Sequence, residues 1–266
     1  MLITLLLWMA VVPAAWGYGK LVLAGEDYEC DTESVVARMY TGLLLMSILL
    51  FAIALFSDLS WWSGCIVLIP GCALGIADRV RKKNCGVLLV FGLLMVPIAA
   101  WAATRQVDYY DTGLYHHQAV KWMTEYGIVK GVALISFRFA WLSSWFSFAA
   151  PFNYGAMSGR ESGIVGGLPV ALALLPALLF VRNISWKERP GFRSVVWVVF
   201  GSALALICMG WHIERSLAPD MMTWLLSAVI LTILTKRGSG DATRIGRRRT
   251  CRVQPWSLLT SSSSKA

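Results

Sequence analysis

The chain has 266 residues, of which 57% are hydrophobic and only 15% charged, with a mean hydropathy of +0.63; soluble domains run at roughly 45–50% apolar and about 25% charged. These values exclude an ordinary soluble enzyme and predict an integral membrane protein. The net charge of +9 is not a nucleic-acid signal, because most basic residues stand in short clusters between or after apolar runs, where they orient helices.

A spanning helix needs about 20 mostly apolar residues, and runs of that kind recur at roughly 1–17, 39–56, 60–77, 85–103, 163–181, 194–211 and 219–235. The expected fold class is all-α: a polytopic transmembrane helix bundle of about seven spans over residues 1–235, with interfacial helices in a long outer loop at about 104–162. A basic, disordered tail is expected over 236–266. The first run carries small residues in "VVPAAWG", as a cleavage site would, but no basic stretch precedes it, so it reads as an uncleaved span.

Positively charged short loops stay cytoplasmic. The basic clusters are Arg79, Arg81, Lys82 and Lys83; Arg182, Lys187, Arg189 and Arg193; and, in the tail, Lys236, Arg237, Arg244, Arg247, Arg248, Arg249 and Arg252. With seven spans all of them fall on one side, which predicts a cytoplasmic tail. The outer side then receives "FSDLSWW", the segment 104–162 and "WHIERSLAP". "GEDYECDTESVVAR" would be cytoplasmic although acidic, which is tolerable because acidic residues weigh little in this rule. "GVALISFRFAWLSSWFSFAAPF" is long enough for an eighth span, but that count would split the basic clusters between the two sides and bury Arg138 at about 2.5–3.5 kcal/mol. It is read instead as helices lying in the outer interface, with their aromatic rings at headgroup level.

The six cysteines contain no CxxC pair and no histidine at finger spacing. All three histidines, His116, His117 and His212, fall on the expected outer side, as do Asp111, Glu214, Arg215, Asp220, Arg138 and Arg160. The short loop after Trp211 is expected to approach the stretch "YYDTGLYHHQAVKWMTEYG", on shared sidedness alone. Asp111 has two compatible readings: the N-cap of a helix running to about Glu125, or a reactive carboxylate. On that helix Tyr115, Ala119, Trp122 and Tyr126 share one face, and Leu114, His117, Gln118, Lys121 and Glu125 another. The histidines read either as interfacial packing or as part of a polar site. Neighbouring histidines diverge on a helix, so no metal and no cofactor is expected. The glycines of "GRESGIVGGLP" lack the lysine of a phosphate loop and predict close helix packing. "NIS" at Asn183 matches a glycosylation sequon but falls on the expected cytoplasmic side.

"YYDTGLYHHQAVKWMTEYGIV", followed by "LSSWFSFAAPFN", resembles a group of bacterial multispanning membrane proteins, and these in turn resemble the GT-C superfamily of membrane glycosyltransferases. The likeness is strongest over about 105–153 and extends over the hydrophobic remainder to about 235. It implies a bacterial inner-membrane protein surrounded by membrane lipids, with a polyprenyl-phosphate sugar as donor and an acceptor on the outer side. Asp111 matches the outer-loop aspartate of that superfamily, Tyr115 the aromatic a turn later, and Trp145 and Phe146 the "SWF" element. Glycosyl transfer so implied needs a base, for which Asp111 is the candidate, and an arginine on the phosphate, for which Arg138 or Arg215 is; Tyr115 and His116 are the further substrate-binding candidates. The pattern departs at Ser136 and Phe137, where a histidine and a glycine are expected. GT-C enzymes have more than seven spans, so the tail also reads as the product of a truncated or frameshifted frame. The rival readings are a non-catalytic membrane scaffold, an inactive remnant and, less favoured because the expected span interiors hold almost no ionisable residue, a transporter fragment.

Overall fold

The structure, a computed structural model, describes residues 1–23, 32–81, 97–183, 192–228 and 230. It is helical, with no strand among the described residues. The long helices are α1 (Leu2–Val22), α2 (Thr32–Ala54), α3 (Trp61–Arg81), α7 (Ser162–Asn183) and α8 (Phe192–Gly210). Between α3 and α7 lie the shorter α4 (97–103), α5 (His117–Tyr126) and α6 (Ser144–Ala149). Three helical stretches are long and apolar enough to cross a membrane: Leu2–Val22, Val35–Ala54 and Trp61–Asp78. The chain is thus an all-α membrane protein. Among the described residues that count is three, not seven: α7 and α8 coincide with expected spans, but their apolar portions Ser162–Leu174 and Val198–Gly210 are shorter. The expected spans at 85–103 and 219–235 lie partly outside the described residues, as do Lys82, Lys83, Lys187, Arg189 and the whole basic tail. Residues 1–226 form one compact unit, and the architecture below is that of this unit.

In lipid the hydrophobic effect does not drive helices together, so close approach of backbones must do so. Small residues supply it on both sides of α1. A Cβ on Gly42 of α2 would come within 1.8 Å of the Ala15 carbonyl oxygen, and one on Gly75 of α3 within 2.1 Å of that of Pro13. Any larger side chain at either position forces the helices apart.

At one end of this trio an ion cluster is buried. Asp78 accepts hydrogen bonds from Arg38 Nη2 (2.6 Å), Lys20 Nζ (2.7 Å) and Trp16 Nε1 (3.1 Å). Arg38 also donates through Nε to the Trp16 carbonyl at 2.9 Å, and its guanidinium lies 4.0 Å from the centroid of the Trp16 ring. Arg38 and Asp78 are each 3% exposed. All three charges lie just outside the expected spans 1–17, 39–56 and 60–77. α2 starts at Thr32, not near 39, and α3 runs on to Arg81, so the helices extend beyond their apolar runs and carry these charges into the packed region.

At the opposite end the segment 104–162 folds over the α2–α3 turn. Leu59 N–H donates to the Met123 carbonyl (2.9 Å) and Ile128 N–H to that of Ala54 (2.8 Å), which pins α5 there. Gly127 makes this contact at φ +70, and a Cβ on it would lie 2.4 Å from the Ser57 carbonyl oxygen. Gly127→Ala is expected to lower stability by about 1–3 kcal/mol, from overpacking plus the positive φ. Thermal unfolding in detergent would check this, and an unchanged melting point would refute it.

The stretch long enough for an eighth span is not one continuous helix. It breaks into single turns at Val132–Leu134 and Phe137–Ala140, then α6 and a turn at Ala150–Phe152. Ser143 starts α6, its hydroxyl accepting from Trp145 N–H at 3.1 Å. The first part exposes Leu134, Ile135, Phe137 and Trp141, as an interfacial element would. The second part departs from that expectation: Trp145, Phe146 and Phe148 are buried, with α6 packed on α2.

Candidate functional site

The loop after Trp211 does reach the stretch 109–127, but not through Asp111. Ser216 and Thr112 share a hydrogen bond between their hydroxyls at 2.6 Å, and His212 Nδ1 pairs with Asp108. Arg215 Nη1 lies 3.7 Å from Asp108 Oδ2 and donates to the Gln106 carbonyl at 3.5 Å. Gly166 of α7 admits this loop, since a Cβ there would sit 2.4 Å from the Ser216 carbonyl oxygen. With Gly163 against the Ala103 carbonyl and Gly167 against Ala103 and Trp8, the glycines of this stretch serve close packing. The His212 hydrogen bond holds the Asp108 carboxyl below its ordinary range, while burial pushes the Glu214 carboxyl up.

Asp111 is not a cap. Its backbone is already helical (φ −67, ψ −28) and its side chain makes no capping hydrogen bond. The next turn, Thr112–His116, is a π-turn closed by His117 N–H on the Thr112 carbonyl. A π-turn inserts a residue into the helical register; the face of Leu114, His117, Gln118, Lys121 and Glu125 is nonetheless exposed or half-exposed, as expected, and the departure is on the other side. The buried stripe is Thr112, His116, Ala119, Val120 and Met123, whereas Tyr126 of the expected aromatic face is exposed.

The two adjacent histidines diverge. His116 is buried with its ring 4.3 Å from that of Tyr115 and 5.1 Å from that of Phe146, and its Nδ1 is 3.5 Å from the Thr112 hydroxyl. It is a core side chain with no open face for a substrate. Burial pushes His116 down to about 4 from an ordinary value of 6.5, against a smaller opposing pull from Asp111. The unfolded chain takes up a proton below about 6.5 that the folded one refuses until about 4, so stability is expected to fall by up to about 3 kcal/mol as pH drops through that window. Denaturation curves of the protein and of His116→Leu would check it: equal slopes with pH would remove His116 as the cause. His117 points the other way and pairs with Glu161.

Asp111 itself is half-buried and makes no hydrogen bond or ion pair among the described residues. Burial raises the phenols of Tyr109 and Tyr115, and the charges of Asp111 and Asp220 raise both further; Arg138 acts against them on Tyr115. The charges of two carboxylates are thus felt at both phenols, and that of a guanidinium at one of them. Trp141 stands edge-on to Tyr115 at 6.4 Å, and Arg138 lies 5.6 Å from the Phe137 ring. Asp220, expected around the second outer loop, acts on the same two phenols as Asp111.

A cavity of about 740 Å³ opens between the start of α1, the 103–107 stretch and the start of α7. Leu2 and Ile3 line one side and Thr104, Arg105, Gln106 and Arg160 another. Arg105, whose guanidinium lies 4.0 Å from the Trp101 ring centroid, was not foreseen; nothing but its place after an apolar run marks it in the sequence. No group of three or more His, Cys, Asp or Glu that could hold a metal ion occurs among the described residues.

Residues 1–245 match the model of a family described as a domain of unknown function (DUF8201), and the chain belongs to that family. No curated protein and no solved structure matches it.

Proposed function

We propose that this DUF8201 protein is a membrane glycosyltransferase of the GT-C kind, moving a sugar from a polyprenyl phosphate to an acceptor at the outer face of a bacterial inner membrane, with the tail on the cytoplasmic side. The observation that supports this reading is the uncommitted, half-buried carboxylate of Asp111, whose charge is felt at the Tyr115 phenol together with those of Asp220 and Arg138. In the transfer, the acceptor oxygen bonds to the anomeric carbon while its proton passes to Asp111. The bond from that carbon to the phosphate oxygen breaks, and the polyprenyl phosphate leaves with the electron pair. Arg138 makes no ion pair among the described residues and suits the departing phosphate by forked hydrogen bonds. Arg215 suits it less, being already held by Asp108. Tyr115 would contact the substrate, whereas buried His116 would support Tyr115 from behind.

The test is transfer from radiolabelled polyprenyl-phosphate sugars in proteoliposomes. Asp111→Asn keeps shape and removes the base, so transfer is expected to drop at least about 100-fold with membrane insertion unchanged. Full transfer by that variant would remove Asp111 as the base. No transfer by the unaltered protein would favour the alternative, a non-catalytic membrane scaffold. That alternative draws support from the number of polar groups already engaged within the chain: Asp108, His212, Arg215 and His116.

A further inference from the structure

The cavity of about 740 Å³ is basic on one side and apolar on the other. Its volume lies within the roughly 300–1,000 Å³ of sites that hold organic ligands, and a bare anion would not fill it. Arg105 and Arg160 line it, and among the described residues no aspartate or glutamate does. Neither arginine makes an ion pair among the described residues. The acids near them in the chain are engaged elsewhere. Asp108 pairs with His212 and Arg215, and Glu161, 0% exposed, pairs with His117. Arg105 lays its guanidinium over the Trp101 ring, which leaves the N–H groups at its edge for an acceptor.

The apolar side belongs to α1. Leu2 and Ile3 line the cavity, and Leu2, Leu6 and Met9, at helical spacing, are 70%, 56% and 70% exposed. The other face of α1 is buried through Trp8, Val11, Ala14 and Ala15. Because Leu2–Val22 is long and apolar enough to cross a membrane, the exposed strip faces acyl chains and its first residues lie at headgroup level. Exposed Trp101 beside Arg105 suits the same depth, where tryptophan concentrates. Two guanidinium groups without counterions thus share a cavity with the end of a lipid-facing strip.

We propose that this cavity binds an anionic phospholipid, its phosphate held by Arg105 and Arg160 and its acyl chains laid along Leu2, Leu6 and Met9. The guanidinium fork matches two phosphate oxygens, and charge on both partners strengthens each hydrogen bond. The lining also selects for net charge. A zwitterionic headgroup brings an ammonium group to two arginines with no carboxylate there to receive it, whereas a headgroup of net negative charge meets no such penalty. No bond is made or broken in the site, and it stands whether or not Asp111 serves glycosyl transfer.

The test is native mass spectrometry of the purified protein in detergent, titrated with dioleoyl phosphatidylglycerol and separately with dioleoyl phosphatidylcholine. The first phosphatidylglycerol is expected to bind at least about tenfold more tightly than the first phosphatidylcholine. Arg105→Gln combined with Arg160→Gln should bring phosphatidylglycerol down to the level of phosphatidylcholine. Lys121→Gln, which removes an exposed charge away from the cavity, should leave the preference intact. Glycerophosphoglycerol, the same headgroup without acyl chains, and inorganic phosphate distinguish a lipid from a free anion: at equal concentration neither should displace phosphatidylglycerol. Equal affinity for the two lipids overturns the proposal, as does undiminished phosphatidylglycerol binding in the folded double variant. Displacement by either soluble anion assigns the cavity to a free phosphate and overturns the lipid. Both arginines are exposed, so the double variant is expected to keep its melting point; if it does not fold, the two lipids and the soluble anions on the unaltered protein decide.

Discussion

Asp78→Ala is expected to lower the stability of the folded chain by about 3–5 kcal/mol, the largest single effect anticipated from any polar position. The reason lies in what remains. Arg38 is 3% exposed, and without Asp78 its guanidinium keeps, among the described residues, the Trp16 carbonyl and ring as company. A buried charge stripped of its counterion costs far more than the pair contributes when intact. Lys20→Met should lie near 1 kcal/mol or below, because the Lys20 side chain is 47% exposed and its pairing is screened. Replacing both buried partners, as in Arg38→Met with Asp78→Leu, should recover most of the loss. Unfolding in mixed micelles, followed by tryptophan fluorescence, would rank the three. A loss for Asp78→Ala no larger than that for Lys20→Met would show that the cluster is solvated.

Trp8→Ala is the second large effect, also about 3–5 kcal/mol. Trp8 is fully buried, and the tip of its ring fills the space left by Gly167 of α7. Its Nε1–H donates to the Ile164 carbonyl at 2.9 Å. Truncation opens a cavity between α1 and α7 that neither helix can close, since the glycine brings no side chain to fill it. Trp8→Phe keeps most of the volume and should lose about 1 kcal/mol for the hydrogen bond. The two variants separate packing from polarity. Equal losses would assign the whole effect to the bond with Ile164.

The helices that carry the fold were legible because a span announces itself by length and apolarity alone: α1, α2, α3, α7 and α8 all fall on apolar runs. The start of α2 was not legible. Arg38 reads as a loop residue until its counterions on α1 and α3 are known, and nothing local encodes them. The π-turn at Thr112–His116 was hidden for a similar reason, since Thr112 is held by Ser216, over a hundred positions away. The helical wheel assigned His116 to neither face, whereas the fold buries it. Asp111 stood out in the sequence because a carboxylate among aromatics after an apolar run is rare enough to notice. Glu161 did not, because a glutamate before a glycine-rich helix looks like an ordinary solvated start. Burial, which only the fold reveals, is what gives it meaning.

The ion cluster also dictates an order of assembly. Its members come from three successive helices, so when α1 and α2 have left the ribosome the Arg38 guanidinium still lacks the carboxylate of α3. A lone arginine near the end of a spanning helix keeps its charge at the level of the lipid headgroups rather than enter hydrocarbon. The first two helices are therefore not a finished insertion unit. Burial of Arg38 between them is expected to wait until residue 78 has been synthesised and α3 delivers the countercharge.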